Sequence, residues 1–415
     1  MNNKILVVED SKTFSNYLKT QLTQIGYDVV IKETLADTQA LFEGTADPLF
    51  FCTILDYCLP DAEDGEVIDF ILSKEQRVVV LTATFNDQLR EDLLDKGVID
   101  YILKDSMASV SYLIPMMTRL LNNQQHHALV VDDSQTARHY LAQLLEYQYI
   151  KTTTAKDGND ALLKLQENSD ISLIVSDHDM PEKDGITLIR ELRQHYTHTE
   201  LMVLGISALE DNAMTARFLK AGANDYLHKP FNQEEFYCRI NQLLNIYEAN
   251  KKLFRLANQD ELTGLWNRRY FFNQPDNCAG CTAQHIAMLD IDFFKKINDK
   301  HGHAAGDKVL QTVGQLLQQH FPQPSALVAR LGGEEFCIRY CGEYQSFVER
   351  LETLRLEIES SQCVYVDTVL NVTMSIGVTE GNGESIDALV TQADHRLYNA
   401  KHNGRNQVCF SENIT

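Results

Sequence analysis

Two sets of carboxylates recur along the sequence, and their residue types suit metal and phosphoryl chemistry. In each set, two adjacent acids follow one apolar run and a single aspartate follows a later run. The sets comprise Glu9, Asp10 and Asp56, then Asp132, Asp133 and Asp177. Three carboxylates that face one point repel each other unless a hard cation such as Mg²⁺ lies between them. The lone aspartate of each set could then attack a phosphoryl donor.

A hydroxyl and a lysine accompany each set. Thr82 and Lys104 follow later apolar runs of the first set, and Ser207 and Lys229 follow those of the second. Both groups can hold the oxygens of a transferred phosphoryl group, because a cation and a hydroxyl donor stabilise negative charge. The sequence therefore predicts two similar phosphoryl-transfer sites in one chain.

A third acidic site is predicted nearer the end of the chain. Asp290 lies where the apolar run "HIAMLDI" ends, and Glu334 and Glu335 follow the glycine pair of "RLGGEEF". Gly332 and Gly333 predict a two-residue hairpin, since both central positions of the favoured turn need positive φ. A carboxylate on a neighbouring strand can share a metal with a hairpin glutamate, an arrangement typical of nucleotide sites.

Polar residues downstream of Asp290 could bind the rest of a nucleotide. Lys295 is available for phosphates, while Asn298 and Asp307 could read a base. An aspartate carboxylate can accept two hydrogen bonds from neighbouring N–H groups on the edge of guanine. Adenine does not offer this pair of donors. A glycine pair alone most often marks only a turn, so the combination of residues carries the prediction.

The elements that must position the first two sets form a repeat. "KILVVEDSKTFSNYLKTQL" at 4–22 matches "HALVVDDSQTARHYLAQLL" at 127–145, and the agreement continues downstream. Each copy alternates β-branched runs with helix-length amphipathic segments, which predicts a doubly wound parallel sheet. We expect the first repeat at 1–122 and the second repeat at 126–245, with "NNQQHH" at 122–127 as linker. In such sheets the chemistry collects at the carboxyl ends of the strands.

The segment 250–415 mixes strands and helices in another order, which predicts an α+β sheet with helices on one face. The pattern of residues 236–258, which overlap the start of this segment, predicts a helical connector with an apolar heptad seam. The seam members are Phe236, Ile240, Leu243, Tyr247, Asn250, Phe254 and Ala257. Either this helix dimerises as a coiled coil, or its first half is the last helix of the second repeat and the remainder a linker.

Composition limits the class of partner. The formal net charge of −22, from 37 basic and 59 acidic residues, disfavours nucleic acids and anionic membranes. The start "MNNKILVVED" reads as a first strand and not as a signal, and no run approaches a membrane span, so a cytoplasmic protein is expected. Nine scattered cysteines indicate a reducing compartment. The lone C-x-x-C of Cys278 and Cys281 is predicted to be a loop, since no second ligand pair follows.

Over nearly all of both repeats the sequence resembles the receiver domain of two-component response regulators. The resemblance implies that Asp56 and Asp177 accept phosphate from a histidine kinase or phosphotransfer protein, and that each acid pair binds one Mg²⁺. It also implies that Tyr101 and Tyr226 reorient when the neighbouring hydroxyl engages the phosphoryl group.

Small departures from the receiver pattern separate the two repeats. Glu9 stands for an aspartate and Ser207 for a threonine, but both keep the functional group. Lys104 is followed by Asp105, whereas the second repeat has the usual proline after its lysine. Because proline in that turn commonly fixes an unusual backbone geometry, Lys104 is expected to be aimed differently. The sequence does not decide whether one or both repeats are phosphorylated.

From about 250 to 412 the chain resembles the GGDEF domain of diguanylate cyclases. The motifs "DELTGLWNRR", "LDIDFFKKIND", "GHAAGD", "RLGGEEF", "SIGVT" and "AKHNGRN" occur in the family's order and approximate spacing. The resemblance implies that two such domains face each other in a homodimer and condense two GTP into cyclic di-GMP and two pyrophosphates. The whole chain would be a multi-domain α/β protein: two doubly wound (βα)5 flavodoxin-like receivers, then an α+β GGDEF domain of the nucleotidyl-cyclase type.

The GGDEF resemblance also implies roles for single residues. Two Mg²⁺ ions per cyclase site would be held by Asp290, Glu334, the carbonyl of Ile291 and Glu335. Glu334 would also accept the proton of the attacking hydroxyl, and Lys295 would stabilise transition-state charge. Guanine would contact Asn298 and Asp307, and the phosphates would contact Lys401, Arg405 and the backbone amides of Phe293 and Phe294. Asp292 and His303, inside the same motifs, are expected to be structural.

One departure from the GGDEF pattern concerns feedback. Many family members carry an R-x-x-D product-inhibition motif before the hairpin, where this chain has Gln323 and Ala326. We therefore expect no primary product-inhibition site, and a catalytically dead cyclic di-GMP receptor is disfavoured. Two other functions stay open: a phosphorelay scaffold that acts through protein contacts, and a GTP-binding regulatory module without turnover.

Overall fold

The computed structural model describes residues 3–43, 50–83, 87–104, 111–208, 213–275, 284–366 and 368–410. The chain divides into two compact units, Met1–Lys251 and Lys252–Thr415. The pair Cys278 and Cys281 lies outside the described residues, and so does Asp105. In the described part of the chain, no helix is both long and apolar enough to cross a bilayer.

The first repeat folds as a five-stranded parallel sheet with intervening helices. The strands are β1 (Lys4–Val8), β2 (Asp28–Lys32), β3 (Cys52–Asp56), β4 (Val78–Thr82) and β5 (Asp100–Leu103). The helices are α1 (Lys12–Gln24), α2 (Leu35–Glu43), α3 (Glu66–Ser73), α4 (Asp87–Asp95) and α5 (Leu113–Asn123). The strand order β2-β1-β3-β4-β5 is that of a doubly wound sheet, as predicted.

The second repeat has the same architecture, with strand order β10-β9-β8-β6-β7. Its strands are β6 (His127–Val131), β7 (Lys151–Ala155), β8 (Ile171–Asp177), β9 (Met202–Ser207) and β10 (Asp225–His228). Its helices are α6 (Gln135–Tyr147), α7 (Gly158–Glu167), α8 (Gly185–His195), α9 (Met214–Ala221) and α10 (Gln233–Asn258). The linker before β6 is shorter than predicted, because Asn122 and Asn123 continue helix α5.

Helices cover both faces of each parallel sheet, which explains why the central strands are almost entirely apolar. In β1, Ile5 and Val7 belong to one core cluster, while Leu6 and Val8 belong to another. Successive residues of a strand point to opposite faces, so this division places one cluster on each side of the sheet. The doubly wound fold predicted for both repeats is confirmed.

Helix α10 corrects the predicted connector seam. Phe236, Ile240 and Leu243 are buried in the core of the second repeat, so these seam members are not available to a partner helix. The reason is that the spacing that suits a coiled coil also suits a helix packed on its own sheet. Phe254, another predicted member, belongs to the second unit, and its ring lies 6.1 Å from that of Trp266 in the same unit, measured between centroids.

The second unit contains a six-stranded mixed sheet of order β11-β13-β14-β12-β17-β18 and a small hairpin. Its strands are β11 (Trp266–Asn267), β12 (Gln284–Ile291), β13 (Ala326–Gly332), β14 (Glu335–Cys341), β15 (Cys363–Tyr365), β16 (Thr368–Leu370), β17 (Met374–Thr379) and β18 (Val408–Cys409). Its helices are α11 (Arg268–Asn273), α12 (Phe294–His301), α13 (His303–His320), α14 (Tyr344–Ser360) and α15 (Ile386–His402).

Helices pack on both faces of this sheet, not on one face as predicted. Ala287 and Leu289 of the central strand β12 pack with α13 and α14, whereas Ile286 and Met288 pack with α11 and α15. Every residue of β12 from His285 to Ile291 is buried, whichever face of the sheet its side chain points to, and a strand that is buried on both faces needs a cover on each side. The coarser expectation of an α+β domain is confirmed.

The hairpin turn lies one residue further along than predicted. Strand β13 continues through Gly332, which pairs with Glu335, so the turn residues are Gly333 and Glu334. Gly333 has a φ of 54°, a left-handed conformation that glycine adopts without steric cost. Glu334 therefore lies at the tip of the hairpin.

Candidate phosphoacceptor and nucleotide sites

The first repeat brings its predicted residues together at the carboxyl end of the sheet. Asp56 is the last residue of β3, and Glu9 and Asp10 directly follow β1. Carboxylate oxygens of these three acids lie within 4.8 Å of one another, close enough to share one metal ion. Lys104 Nζ lies 2.5 Å from Glu9 Oε2 and 2.6 Å from Asp56 Oδ2. Burial raises the pKa of Glu9 above its usual range, although Lys104 opposes the shift.

The second repeat has the same lysine geometry but a different acid pair. Lys229 Nζ lies 3.0 Å from Asp132 Oδ2 and 2.7 Å from Asp177 Oδ1. Burial raises the pKa of Asp177, and the charge of Asp132 adds to the rise. Arg138 Nη1 donates to the backbone carbonyls of Asp132 and Asp133, at 2.5 and 3.3 Å. Within the described ranges, only the first repeat brings three carboxylates as close together as a metal requires.

The expected difference between the two lysines is not found. Lys104 and Lys229 contact equivalent acids, and their amides donate to the carbonyls of Thr82 and Ser207 at 2.7 and 2.9 Å. The peptide bond between Lys229 and Pro230 is cis. Each lysine therefore contacts the equivalent two acids of its own repeat.

The predicted switch residues occupy neighbouring positions of each sheet. Thr82 and Ser207 end β4 and β9 and are buried. Tyr226 is buried too, with its ring 5.2 Å from that of Phe218, whereas Tyr101 is half-buried. The two tyrosines thus differ in burial.

The third site centres on Asp290, the penultimate residue of β12. Asp290 lies opposite Glu335 of β14 in the antiparallel ladder, an arrangement in which like charges are destabilising. Burial raises the pKa of Asp290 to about 6, and the charges of Glu334 and Glu335 add to the rise. Lys401 Nζ opposes it from 2.7 Å away. The site therefore holds a cluster of carboxylates, and the Lys401 ammonium stabilises the charge of Asp290.

Arg330 fixes the hairpin that carries Glu334. Its Nε and Nη2 donate to the carbonyl of Gly333 at 2.9 and 2.8 Å, and its Nη1 contacts both carboxylate oxygens of Asp260 at 3.0 and 3.1 Å. Asp260 also accepts from Thr263 N and Oγ1, at 2.9 and 2.7 Å. Our sequence reasoning missed this clamp. The available signal was an aspartate three residues before a threonine, the spacing of a local turn.

We predict that Asp260→Asn destabilises the second unit. At pH 7 the free energy of unfolding should fall by about 1 to 3 kcal/mol, because a charged acceptor of several hydrogen bonds is lost. These bonds hold the pKa of Asp260 below its usual range against the effect of burial. A lowered carboxyl pKa stabilises the fold at a pH above the unfolded pKa of ~4, so the difference in stability should shrink as the pH falls below that value.

Urea unfolding monitored by Trp266, the single tryptophan, measures this effect in the second unit. Glu261→Gln, at the neighbouring exposed acid, is the matched control and should leave the midpoint unchanged. Equal midpoints for both variants at pH 7 would contradict the clamp.

The predicted base-binding residues lie on two packed helices. Asn298 of α12 and Asp307 of α13 are brought near each other because Gly306 lies against Asn298: a Cβ at Gly306 would come within 2.0 Å of Asn298 Oδ1. This oxygen is buried and has no hydrogen-bond partner among the described residues. A buried acceptor without a partner is costly, and a donor on a ligand would satisfy it. Asp307 is exposed beside it.

The predicted phosphate-binding residues surround the start of α12. Phe293 is exposed just before the helix, Phe294 is buried in the core, and Lys295 is exposed in the first turn. Arg405 approaches from the turn after α15. Asp292 accepts hydrogen bonds from Thr373 Oγ1, Ser375 Oγ and Asn406 N, which supports its expected structural role.

Together the fold and these sites define a multidomain protein: two doubly wound domains, each with acids and a lysine at the carboxyl ends of its strands, followed by a mixed-sheet domain with an acidic site. The response regulator receiver domain family matches residues 5–110 and 128–241, more than half of the chain, and the diguanylate cyclase GGDEF domain family matches 257–407. The chain belongs to the response regulator family and carries two receiver domains and a C-terminal GGDEF domain.

Known relatives match all or part of this chain. The chain is 28% identical to the response regulator PleD of Caulobacter vibrioides over 98% of this chain and 99% of that protein. Diguanylate cyclase A of Treponema denticola is 37% identical over 42% of this chain and 50% of that protein. A crystal structure of a two-component response regulator/GGDEF domain protein matches with a TM-score of 0.53 and 37% identity, covering 60% of this chain and 100% of that one.

Proposed function

We propose that the protein is a Mg²⁺-dependent diguanylate cyclase that condenses two GTP into cyclic di-GMP and two pyrophosphates, under the control of receiver phosphorylation. The observation that carries the proposal is the buried Asp290 carboxylate. It lies opposite Glu335 and close to the hairpin turn that carries Glu334, and its pKa is raised to about 6. Membership of the cyclase family supports it. Perturbed carboxylates in such clusters are typical of metal-dependent sites.

The donor set fits the divalent cation. Asp290, Glu334, Glu335 and the carbonyl of Ile291 are hard oxygen ligands of the kind that Mg²⁺ prefers. The ion pair between Lys401 and Asp290 supports the assignment, since this carboxylate already holds a cationic group. When bound, two Mg²⁺ ions would stabilise phosphate charge and make the attacking 3′-hydroxyl more acidic.

The chain's own residues would perform the remaining steps. The carboxylate of Glu334, at the hairpin tip, accepts the proton of the attacking 3′-hydroxyl. Lys295 stabilises charge on the α-phosphate as the pyrophosphate leaves. Asn298 and Asp307 hold guanine. Phosphates contact Lys401, Arg405 and the amides of Phe293 and Phe294. Because each domain binds one GTP, two domains must face each other.

Control is assigned to the receivers, with Asp56 as the principal phosphoacceptor. The convergence of Glu9, Asp10 and Asp56 favours metal binding in the first receiver. In the second receiver Arg138 rests against the carbonyls of the acid pair, and Asp177 is the subsidiary acceptor. The phosphodonor would be a histidine kinase or phosphotransfer protein. Phosphorylation would favour the dimer and so raise the local concentration of the opposed GTP sites.

Dimer contacts are proposed on a different face of α10 from the seam read in the sequence. Ile246, Leu253 and Leu256 are 42%, 63% and 53% exposed, and they recur at the seven- and three-residue spacing of a heptad with Ala249 between them. Asn250, the predicted polar seam member, donates instead to the carbonyl of Ile246 in its own helix. A second copy of the chain is the proposed partner of this stripe.

We predict that Leu253→Asp weakens dimerisation. A charge in an apolar seam must be desolvated, so we expect the dimer dissociation constant to rise by about tenfold or more. Sedimentation equilibrium of the full chain with acetyl phosphate and Mg²⁺ measures it. Arg255→Asp, about 200° around the helix from Leu253, is the matched control and should dimerise normally. Unchanged dimerisation of Leu253→Asp would rule out this stripe.

Product inhibition through the primary site is proposed to be absent. Ala326 begins β13 and is buried, and Gln323 is exposed before it. Neither offers the guanidinium or carboxylate of the inhibitory motif. The proposed function as a whole is tested by incubating the purified full chain with GTP and Mg²⁺, with and without acetyl phosphate, and quantifying cyclic di-GMP. No product under either condition would contradict it.

A further inference from the structure

Phe293 presents an aromatic ring to solvent from a backbone conformation that residues other than glycine rarely adopt. It precedes α12 with φ 57° and ψ 25°, in the left-handed region. The residue is 50% exposed, so burial in the core does not explain the ring. A large apolar side chain in solvent, on an unfavourable backbone, points to a functional constraint.

Two cations lie over this ring. Lys296 Nζ lies 4.2 Å from the ring centroid, and Arg405 Cζ lies 4.5 Å from it. Both distances are within the range at which the face of an aromatic ring attracts a cation. The ring therefore gathers two positive charges at the N-terminus of α12, an end that itself favours anions.

The turn that carries Arg405 is fixed through its backbone. Arg405 N donates to the carbonyl of Ala400 at 3.0 Å, and Asn406 N donates to Asp292 Oδ2 at 3.1 Å. The guanidinium has a carboxylate nearby, but Arg405 Nε lies 4.0 Å from Asp292 Oδ1, which is too long for a hydrogen bond. The face of Phe293 is thus the surface against which the guanidinium rests.

An aromatic face holds a guanidinium without occupying its donors. A carboxylate partner accepts the N–H groups, whereas stacking leaves those in the guanidinium plane free for another acceptor. We infer that Phe293 is a positioning residue whose ring holds Arg405 and Lys296 ready for the phosphate oxygens of the bound nucleotide. This inference rests on the proposed GTP site. It adds a role for the side chain of Phe293, a residue whose backbone amide alone was assigned to phosphate binding above.

The test compares full-length wild type with Phe293→Leu and Phe293→Tyr. Leucine keeps an apolar side chain but lacks a π face, whereas tyrosine restores one. Calorimetric titration with 3′-deoxy-GTP and Mg²⁺ measures affinity without turnover, since the attacking hydroxyl is missing. We expect Phe293→Leu to weaken binding by about fivefold, and Phe293→Tyr to bind like wild type. In steady-state assays the KM for GTP should rise in the leucine variant while kcat stays nearly constant.

Phe272→Leu is the matched control, because Phe272 also lies beneath an arginine, with Arg268 Cζ 5.2 Å from its centroid. It should bind 3′-deoxy-GTP like wild type. Equal affinity of Phe293→Leu and wild type, or an equal loss in Phe272→Leu, would overturn the inference. If the expected affinities are found but GTP yields no cyclic di-GMP, turnover is wrong and the role of the ring stands. Absence of 3′-deoxy-GTP binding by wild type would refute both.

Discussion

Glu334→Gln should reduce cyclic di-GMP formation by about a hundredfold to ten-thousandfold. Glutamine keeps the size of the side chain but removes both the negative charge that a metal requires and the base that accepts the proton of the 3′-hydroxyl. Its backbone should be unaffected, because the hairpin is held through the carbonyl of Gly333 by Arg330. The measurement is the rate of cyclic di-GMP formation from GTP and Mg²⁺ in the presence of acetyl phosphate.

Glu349→Gln, an exposed change on α14, serves as the control and should retain full activity. Unfolding followed by Trp266 fluorescence tests whether the second unit of the Glu334 variant is intact. A variant with intact unfolding and wild-type turnover would show that Glu334 is neither base nor metal ligand, and the assignment of the hairpin tip would then fail.

The second large effect concerns control: Asp56→Asn should abolish most of the stimulation by acetyl phosphate. Asparagine preserves the side-chain shape but lacks the nucleophilic carboxylate. The same change at Asp177 should leave most of the stimulation, because only the first receiver brings three described carboxylates within 4.8 Å of one another. Cyclic di-GMP formation and dimer content are measured for both single variants.

Basal activity without the phosphodonor provides the internal control, since neither aspartate lies in the GGDEF domain. If Asp177→Asn abolishes stimulation while Asp56→Asn does not, the order of the two acceptors is reversed. If the double variant is stimulated and dimerises like wild type, phosphorylation of these aspartates does not control the enzyme.

Most of the fold could be predicted from the sequence because its signals are local. Apolar β-branched runs and helix periodicity specify the alternating strands and helices of the doubly wound sheets. The repeated acids, hydroxyl and lysine lie at the ends of strands, so they also mark where those strands stop. The placement of α10 could not be predicted in this way. Phe236, Ile240 and Leu243 have a spacing that suits both a partner helix and their own sheet, and only the tertiary fold decides between them.

The hairpin shows the same limit on a smaller scale. Two adjacent glycines predict a turn, but pairing between Gly332 and Glu335 moves the turn onto Gly333 and Glu334. That register depends on a bulge after Arg330, which the sequence does not reveal. The local spacing of Asp260 and Thr263 indicates only a turn, whereas the clamp joins Asp260 to Arg330, far away in the sequence, so it could not be predicted from that spacing.

The burial of the first half of α10 fixes the rotational phase of the residues that directly follow it in the same unit. Because Phe236 and Ile240 are held in the receiver core, the direction in which Ile246 points is set by a count of residues. One residue inserted after Leu244 would turn Ile246 by about 100°, whereas seven would return it to within about 20° of its place. The length of this segment is therefore constrained as strictly as its composition.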